Sequence, residues 1–258
     1  MSVAMHSRKL TDYRIIVIDN DTLRGGSDSM KALVHRLSNR MEFVLVLLVA
    51  FGMFVPRNLA AVLALQPNAG PTPPINNTNL LGIIVYELAV FAILLPFLRA
   101  RGWTMERFGI RATVRDSLIG LGLAIVAYFA YVAEYSLVAT VWPKVIKAAL
   151  ARDVVASHLS WPIVIVASSI NPLWEELFVC GYIVSVVKDR WGPHAAVNAS
   201  TGIRVFYHAY QGIFGALSVA PFGLVLSYWY LRTGRLWPLI VAHAATDLWG
   251  LWSSSTVT

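Results

Sequence analysis

Residues 161–187 read WPIVIVASSINPLWEELFVCGYIVSVV, a run apolar enough to cross a bilayer that carries two adjacent carboxylates, Glu175 and Glu176, near its middle. Ionisable side chains inside a membrane cost free energy, so each of them is a functional-site hypothesis. Two later apolar segments carry His208, and then His243 with Asp247. Three consecutive segments of this kind predict one shared site inside a bundle of membrane helices.

The composition is that of a polytopic membrane protein. Hydrophobic residues make up 57% of the chain and charged residues 14%, and the mean hydropathy of +0.62 lies outside the usual range for soluble domains. The net charge of +7 comes from basic residues clustered between apolar segments, so we attribute it to membrane topology and not to nucleic-acid binding. The single cysteine, Cys180, forms no intrachain disulfide.

The order of apolar segments predicts an all-α transmembrane bundle with the site inside it. A scan for about 20 mostly apolar residues predicts about seven spanning helices, near residues 43–65, 80–98, 117–139, 161–187, 195–212, 213–231 and 236–254. The fifth segment is too polar to face lipid, so we expect other helices to cover it. Residues 1–40 are expected to form a partly disordered cytoplasmic arm, and residues 41–258 the membrane domain.

Basic residues predict the orientation of the chain, because short cytoplasmic loops collect Lys and Arg. They gather in alternate connections: before the first span, after the second, after the fourth and after the sixth, whereas Lys144, Lys147 and Arg152 run against this pattern. We therefore expect a multi-pass protein of the plasma membrane with its N-terminus in the cytoplasm and its C-terminus outside.

The acidic pair suggests a general base with a supporting group. Adjacent helical residues point about 100° apart, so Glu175 and Glu176 are not expected to face one spot equally. Burial and a neighbouring carboxylate both favour a carboxyl group that accepts protons near neutral pH. The alternative is structural, with both side chains paired to Arg204 or facing water. Two adjacent carboxylates in one span favour function.

Each histidine shares a helix face with a charged residue. His208 lies four residues after Arg204, and His243 lies four residues before Asp247. An imidazole beside a carboxylate is used both by general bases and by metal ligands. Taken alone, either histidine is better explained as structural, but with the acidic pair a shared site is the better interpretation.

Absent motifs exclude several protease chemistries. The chain has no H-E-x-x-H helix and no G-x-S-x-G turn around a serine. Cys180 has no basic neighbour within its own helical turn, so a thiolate nucleophile is unsupported. What remains is water activated by Glu and His, with or without a metal.

Three segments resemble the motifs of the CPBP family, which includes CAAX proteases, Abi proteins and bacteriocin-processing enzymes. Glu175-Glu176-Leu-Phe-Val-Cys180-Gly181 resembles its E-E-x-x-x-R motif, Tyr207-His208 the end of F-x-x-x-H, and His243-Ala-Ala-Thr-Asp247 its H-x-x-x-N/D motif. The order of the three on successive segments is more specific than any one of them. The resemblance covers roughly residues 80–254.

The resemblance implies an intramembrane endopeptidase whose site opens toward the cytoplasmic side. By position, Glu175 and His208 would activate the attacking water, and His243 and Asp247 would stabilise the oxyanion. Asp donates a hydrogen bond only when protonated, so Asp247 has the alternative role of orienting His243. The expected partners are the bilayer and a peptide or protein substrate.

The chain departs from the family pattern at two positions. Cys180 stands where the motif has Arg, and Arg204 stands where the second motif has Phe. We interpret this as a transfer of the guanidinium between helices, so that Arg204 supports the site by balancing Glu176.

Two questions stay open at this point. The water is activated either by Glu and His alone, which the resemblance favours, or through a Zn²⁺ held by Glu175, His208 and His243. The main alternative to an enzyme is a catalytically weak or inactive relative that acts as a membrane immunity or scaffolding protein. A proton-coupled transporter is disfavoured, because the sequence has no repeated halves.

Overall fold

The computed structural model of the protein describes residues 37–64, 75–150 and 159–255, with side chains throughout except in 61–64 and 254–255. The expected N-terminal arm lies outside these residues apart from its last four positions. The boundary expected at residue 41 is therefore not tested.

The described residues form helices joined by short turns. In chain order these are α1 (Asn39–Phe51), α2 (Phe54–Ala64), α3 (Asn77–Ala100), α4 (Val114–Val141), α5 (Pro143–Leu150), α6 (Trp161–Glu175), a π-helix (Glu176–Val184), α7 (Ser185–Trp191), α8 (Pro193–Tyr207), a 3₁₀ turn (Ala209–Gln211), α9 (Gly212–Ser218), α10 (Ala220–Thr233) and α11 (Trp237–Ser255). The segment from α6 through the π-helix to α7 is one continuous helical run.

Three helices begin at a polar side chain that the sequence supplies just before an apolar run. The side chains of Ser38, Asn76 and Thr113 accept hydrogen bonds from backbone N–H groups three residues later, at 3.2, 2.9 and 3.1 Å. Such caps satisfy N–H groups that have no partner within the helix. They fix the starts of α1, α3 and α4.

A helical membrane bundle is confirmed, but the number of spans differs from the expected seven. Three runs are long and apolar enough to cross a bilayer: Asn77–Ala100, Val114–Val141 and Trp161–Trp191. Two helix pairs, Asn39–Phe51 with Phe54–Ala60 and Ala209–Ser218 with Ala220–Thr233, are bent by 72° and 64°. Counting each pair as one span gives up to five spans in the described part of the chain.

The fifth and seventh expected spans account for the difference. Helix α8 has 15 residues, so its length of about 22 Å falls short of a hydrocarbon core of about 30 Å. Helix α11 has 19 residues, but His243 and Asp247 make it too polar for a span judged by composition. Both helices carry site residues that face protein, which lowers their apolarity without exposing charge to lipid.

The π-helix is the centre of the core. All of its residues are buried, and it packs against α8, α7 and α10. Apolar side chains of α3 and α4 instead point outward, with Val85, Ile93 and Phe129 among the exposed ones. An outward apolar face is what lipid contact requires.

A close approach of α4 to α11 depends on Gly120. A Cβ atom at this position would lie 2.6 Å from the carbonyl oxygen of Pro238 and 2.8 Å from the Cβ of Val241. The two backbones therefore pack together only because residue 120 has no side chain. This contact sets the position of α11, which carries His243.

Candidate active site

The acidic pair lies where α6 becomes a π-helix. Glu175 is the last residue of α6 and Glu176 the first of the π-helix. Short π-helical segments with i→i+5 hydrogen bonds often occur at functional sites. Both side chains point into the protein, with Glu175 4% exposed and Glu176 fully buried.

Arg204 of α8 holds both carboxylates. Its Nη1 lies 2.8 Å from Oε2 of Glu175, and its Nη2 lies 2.8 Å from Oε1 of Glu176. The contact expected between Arg204 and Glu176 is present. The structure also shows the contact with Glu175, so both side chains pair with Arg204 as the structural alternative stated. A planar guanidinium presents donors in a wide fork, so one arginine reaches both side chains.

The space around Arg204 is shaped by α10. The Phe222 ring lies 5.5 Å from the guanidinium carbon, close enough for a cation–π contact. A Cβ atom at Gly223 would come within 3.3 Å of Arg204 Cδ, so the missing side chain leaves room for the arginine stem. Arg204 is 1% exposed.

Cys180 sits among small polar groups and not beside a second arginine. Its Sγ lies 3.7 Å from Ser227 Oγ and 3.9 Å from Ser200 Oγ. The two serine hydroxyls are 2.8 Å apart, and Ser200 donates to the carbonyl of Val179 at 2.8 Å. The position where the family has Arg is thus filled by a compact, fully buried cluster.

His243 of α11 also contacts the acidic pair. Its Nδ1 lies 2.7 Å from Oε1 of Glu176, and because a carboxylate accepts, Nδ1–H is the donor. Its Nε2 lies 3.8 Å from Oε2 of Glu175 and 3.5 Å from Oδ1 of Asp247. Glu176 therefore orients the ring, and Nε2 faces Glu175 and Asp247.

His208 follows the last residue of α8. Its Nδ1 lies 2.9 Å from the carbonyl oxygen of Arg204, and because a carbonyl only accepts, Nδ1 carries the proton. In a neutral imidazole this leaves Nε2 as the proton acceptor. His208 is near enough to Glu175 and His243 to interact with both electrostatically.

The candidate metal ligands differ from the expected set. Ligand atoms of Glu175, Glu176 and His243 lie within 4.8 Å of one another, and His208 is not part of this group. One oxygen of each carboxylate accepts a hydrogen bond from Arg204, at 2.8 Å each.

Tyr207 is a site residue to which the sequence analysis gave no role. Its hydroxyl donates a hydrogen bond to Oε2 of Glu175, so that oxygen accepts from both Tyr207 and Arg204. The sequence feature that could have identified Tyr207 is its position directly before His208 in the second motif. Aromatic rings of Phe51 and Phe54 lie 5.6 and 6.0 Å from the Tyr207 ring and enclose it.

Asn58 of α2 fixes the turn that follows Tyr207. Its Nδ2 donates to the carbonyl of Tyr207 at 3.0 Å, and its Oδ1 accepts from the backbone N–H of Tyr210 at 3.1 Å. The side chain is fully buried. It therefore positions the backbone on both sides of His208. The sequence alone does not predict this role, because it depends on the tertiary contact between α2 and this turn.

Glu87 is a third buried carboxylate near the acidic pair. It lies in α3, is 2% exposed, and accepts from Nδ2 of Asn171 at 2.6 Å. It is close enough to Glu175, His243 and Asp247 to interact with them electrostatically. In the sequence, Glu87 is a single carboxylate within an apolar run, which is itself a reason to expect a functional residue. Its helix, α3, precedes the three segments that carry the motifs.

Comparison with known proteins agrees with the motifs. Residues 157–249 match a family model described as type II CAAX prenyl endopeptidase, Rce1-like. No curated protein and no solved structure gave a significant match. The match starts later than the expected resemblance from about residue 80, so Glu87 lies outside it. Asn58 lies outside both ranges, and all six residues of the expected site lie inside both. Residues 157–249, which carry all three motifs, are therefore similar to the CPBP/CAAX protease family that those motifs predict.

Proposed function

We propose that the protein is an intramembrane endopeptidase that hydrolyses a peptide bond with water activated by Glu175 and His208. The observation that carries this proposal is the fixed carboxylate of Glu175, which accepts hydrogen bonds from Arg204 and Tyr207 while His243 approaches the same oxygen. The family match supports CAAX-type proteolysis in general. The assignment of steps to residues is our inference.

In the first step, the base removes a proton from water. His208 has its Nδ1–H committed to the Arg204 carbonyl, so Nε2 is the nitrogen that accepts, and Glu175 shares the proton. The resulting hydroxide attacks the carbonyl carbon of the substrate. When the tetrahedral intermediate collapses, the same groups return the proton to the leaving amine.

His243 is proposed to stabilise the oxyanion of the intermediate. The hydrogen bond from Nδ1 to Glu176, at 2.7 Å, fixes the orientation of the ring. A protonated Nε2 therefore points its N–H in a single direction. Preorganised donors of this kind stabilise a developing charge without reorganisation. Asp247, 3.5 Å from Nε2, is proposed to orient the ring and to hold its proton.

The proposed mechanism requires no metal. One guanidinium already gives both carboxylates a cationic partner at 2.8 Å. If a Zn²⁺ is bound, Glu175, Glu176 and His243 are the best-placed ligands, and it would supply Lewis-acid polarisation of a bound water.

The substrate is proposed to be a peptide or protein that reaches the site from the membrane or the cytoplasmic side. The basic connections support a plasma-membrane protein with a cytoplasmic N-terminus. Asp247 retains 29% side-chain exposure, more than Glu175, Glu176 or His243, so we propose that substrate enters on the side of Asp247.

The test is proteolysis by purified protein in nanodiscs, with quenched fluorescent peptides ending in a CAAX sequence, both prenylated and unmodified. Glu175→Gln keeps the shape of the side chain but removes the base, and should lower kcat at least a hundredfold, the typical contribution of a general base. Glu134→Gln is the matched control. It removes another carboxylate from a membrane helix, α4, and should leave kcat within twofold.

Chelator treatment decides between the two forms of water activation. Activity that survives removal of metal supports the proposed mechanism. Cleavage that is equal in wild type and Glu175→Gln would overturn it. If no peptide is cleaved but the same peptides bind, the immunity or scaffolding alternative takes its place.

A further inference from the structure

Two helix ends and the π-helix meet at one end of the bundle. The start of α1, the end of α3 with the turn that follows it, and the π-helix are joined by Glu42. Its carboxylate accepts from Arg101 Nε at 2.6 Å, Trp103 Nε1 at 3.0 Å and the Tyr182 hydroxyl at 3.1 Å. Glu42 is 6% exposed, so a buried carboxylate connects these three elements, which together we call the platform.

Two neighbouring cavities open on this platform. One, of about 400 Å³, is lined by the polar or charged residues Asn39, Glu42, Arg101, Arg107, Asp189 and Arg190, with Trp103 and Val186. The other, of about 480 Å³, is lined by Arg40, Phe43, Val44, Arg190 and Trp191. Arg190 lines both, so a polar cavity adjoins a largely apolar one.

Two exposed arginines of the polar cavity are available to bind an anion. Arg107 lies over the Trp103 ring with its guanidinium carbon 3.8 Å from the centroid, and Arg190 lies 5.7 Å from the Trp191 ring. Within the described part of the chain, neither forms an ion pair with a carboxylate. Arg107 donates from Nη1 to the carbonyl oxygen of Gly102 at 3.4 Å. A guanidinium that is stacked on a ring has further N–H groups that bind oxygen.

An apolar stripe on α1 continues from the second cavity. Met41, Val44 and Leu48 are more than half exposed, at 57%, 53% and 64%, and their spacing places them on one face of the helix. The stripe begins in the first turn of α1 and follows the helix away from the platform. It matches the path of an acyl chain whose headgroup lies in the polar cavity.

We propose that these cavities bind one anionic phospholipid, with its phosphate between Arg107 and Arg190 and an acyl chain along Met41, Val44 and Leu48. A free phosphate would use the arginines but not the stripe. Asp189 also lines the polar cavity, and it accepts a hydrogen bond from a headgroup hydroxyl. Choline has no donor for this contact. Ethanolamine has one, but its ammonium cancels the phosphate charge and adds a cation beside two arginines, so a glycerol headgroup is favoured over both.

Basic pockets at the cytoplasmic end of membrane helices are suited to anionic lipids of the inner leaflet. Basic residues of the two connections at this end, Arg99, Arg101, Arg107, Lys188 and Arg190, are those that predict a cytoplasmic location. The lipid site does not depend on whether the protein is a protease.

The experiment measures lipid binding to the delipidated full chain by native mass spectrometry, with phosphatidylglycerol as the probe. We expect phosphatidylglycerol to bind more tightly than phosphatidylcholine or phosphatidylethanolamine, and inorganic phosphate not to compete at millimolar concentration. At about 1 kcal/mol for each basic residue near the headgroup, Arg107→Gln or Arg190→Gln should weaken binding about fivefold, and the double variant about 25-fold.

Lys144→Gln/Lys147→Gln is the matched control, because it also removes two exposed basic side chains, from α5, and should change binding less than twofold. Val44→Asn tests the acyl stripe and should weaken phosphatidylglycerol binding while leaving the arginines intact. If the double arginine variant does not fold, the single variant Arg190→Gln, at an exposed residue, tests the proposal by its loss of phosphatidylglycerol binding. Equal binding by wild type and the arginine variants, or equal binding of phosphatidylglycerol and phosphatidylethanolamine, would overturn the proposal.

Discussion

Replacing Arg204 with methionine removes one guanidinium from between two buried carboxylates. Methionine keeps the length of the apolar stem, so the change leaves packing largely intact and tests the charge. In the wild type, Glu175 and Glu176 each lie 2.8 Å from a different nitrogen of this arginine. After the substitution neither carboxylate has a guanidinium partner, while His243 and Tyr207 still donate hydrogen bonds to them.

The expected destabilisation is large. Removing one partner of a buried ion pair costs about 3–5 kcal/mol, and here two pairs lose the same partner. Arg204 and Glu176 are at most 1% exposed, so water does not compensate. We expect about 4–5 kcal/mol, a large part of the 5–15 kcal/mol that stabilises a typical protein. Adding Glu176→Gln removes the more deeply buried charge and should recover about 2 kcal/mol.

The assay is reversible unfolding in mixed micelles of mild detergent and dodecyl sulfate, followed by tryptophan fluorescence. Trp174 is buried directly before the acidic pair, so its emission reports on this part of the core. Arg235→Met is the control. Arg235 also lies 3.0 Å from a carboxylate, that of the buried Asp116, but its own side chain is 41% exposed. Water reaches this guanidinium and the pair involves one carboxylate instead of two, so we expect a smaller loss than for Arg204→Met.

Two outcomes would contradict this reasoning. If Arg204→Met destabilises the protein no more than Arg235→Met, the guanidinium does not balance the acidic pair. If Glu176→Gln adds to the loss instead of recovering part of it, the two side chains are not coupled. The related double variant Arg204→Ala/Cys180→Arg asks whether the arginine can return to the position that the family uses. Recovery of activity relative to Arg204→Ala would support the transfer between helices.

Three further predictions concern residues around the acidic pair. Tyr207→Phe removes one of two donors to the same Glu175 oxygen. A hydrogen bond to a charged group contributes about 1.5–3 kcal/mol, so peptide cleavage assays should show kcat lowered by a factor of about 10 to 150. An unchanged kcat would exclude a role in orienting the base. Asn58→Ala leaves a buried carbonyl and a buried N–H unpaired, so unfolding should show a loss of about 2–4 kcal/mol, whereas a loss below about 1 kcal/mol would mean that water replaces the amide. Cys180→Ser should keep kcat within twofold, because the thiol lies among serine hydroxyls, and a hundredfold loss would point to a thiol-dependent reaction.

The sequence was most informative where function forces polar residues into apolar segments. Glu175, Glu176, His208, His243 and Asp247 stand out because ionisable groups are costly in a membrane, and the structure places the acidic pair and His243 in direct contact. The departure at Cys180 and Arg204 was also readable, since a missing cation next to buried carboxylates requires another. The catalytic roles of these residues stay predictions.

Other features depend on tertiary contacts that periodicity does not encode. Asn58 is one polar residue in a helix whose significance comes from a turn about 150 positions later in the chain. The number of spans was misjudged for a related reason. Hydropathy windows assume straight helices of full length, whereas this chain bends at two breaks and uses the short helix α8 to carry Arg204 and His208.

The placement of the arginine on α8 has a consequence for how the site works. The Arg204 side chain binds the acidic pair, and the carbonyl of the same residue accepts from His208. One helical turn therefore sets both the charge balance around the carboxylates and the tautomer of the proposed base. In the family pattern the arginine belongs to the helix of the acidic pair, so the two functions lie on different helices. A shift of α8 in this protein would release the guanidinium and the base together, and we expect substitutions that move α8, such as Gly223→Ala beside the Arg204 stem, to lower stability and kcat in parallel.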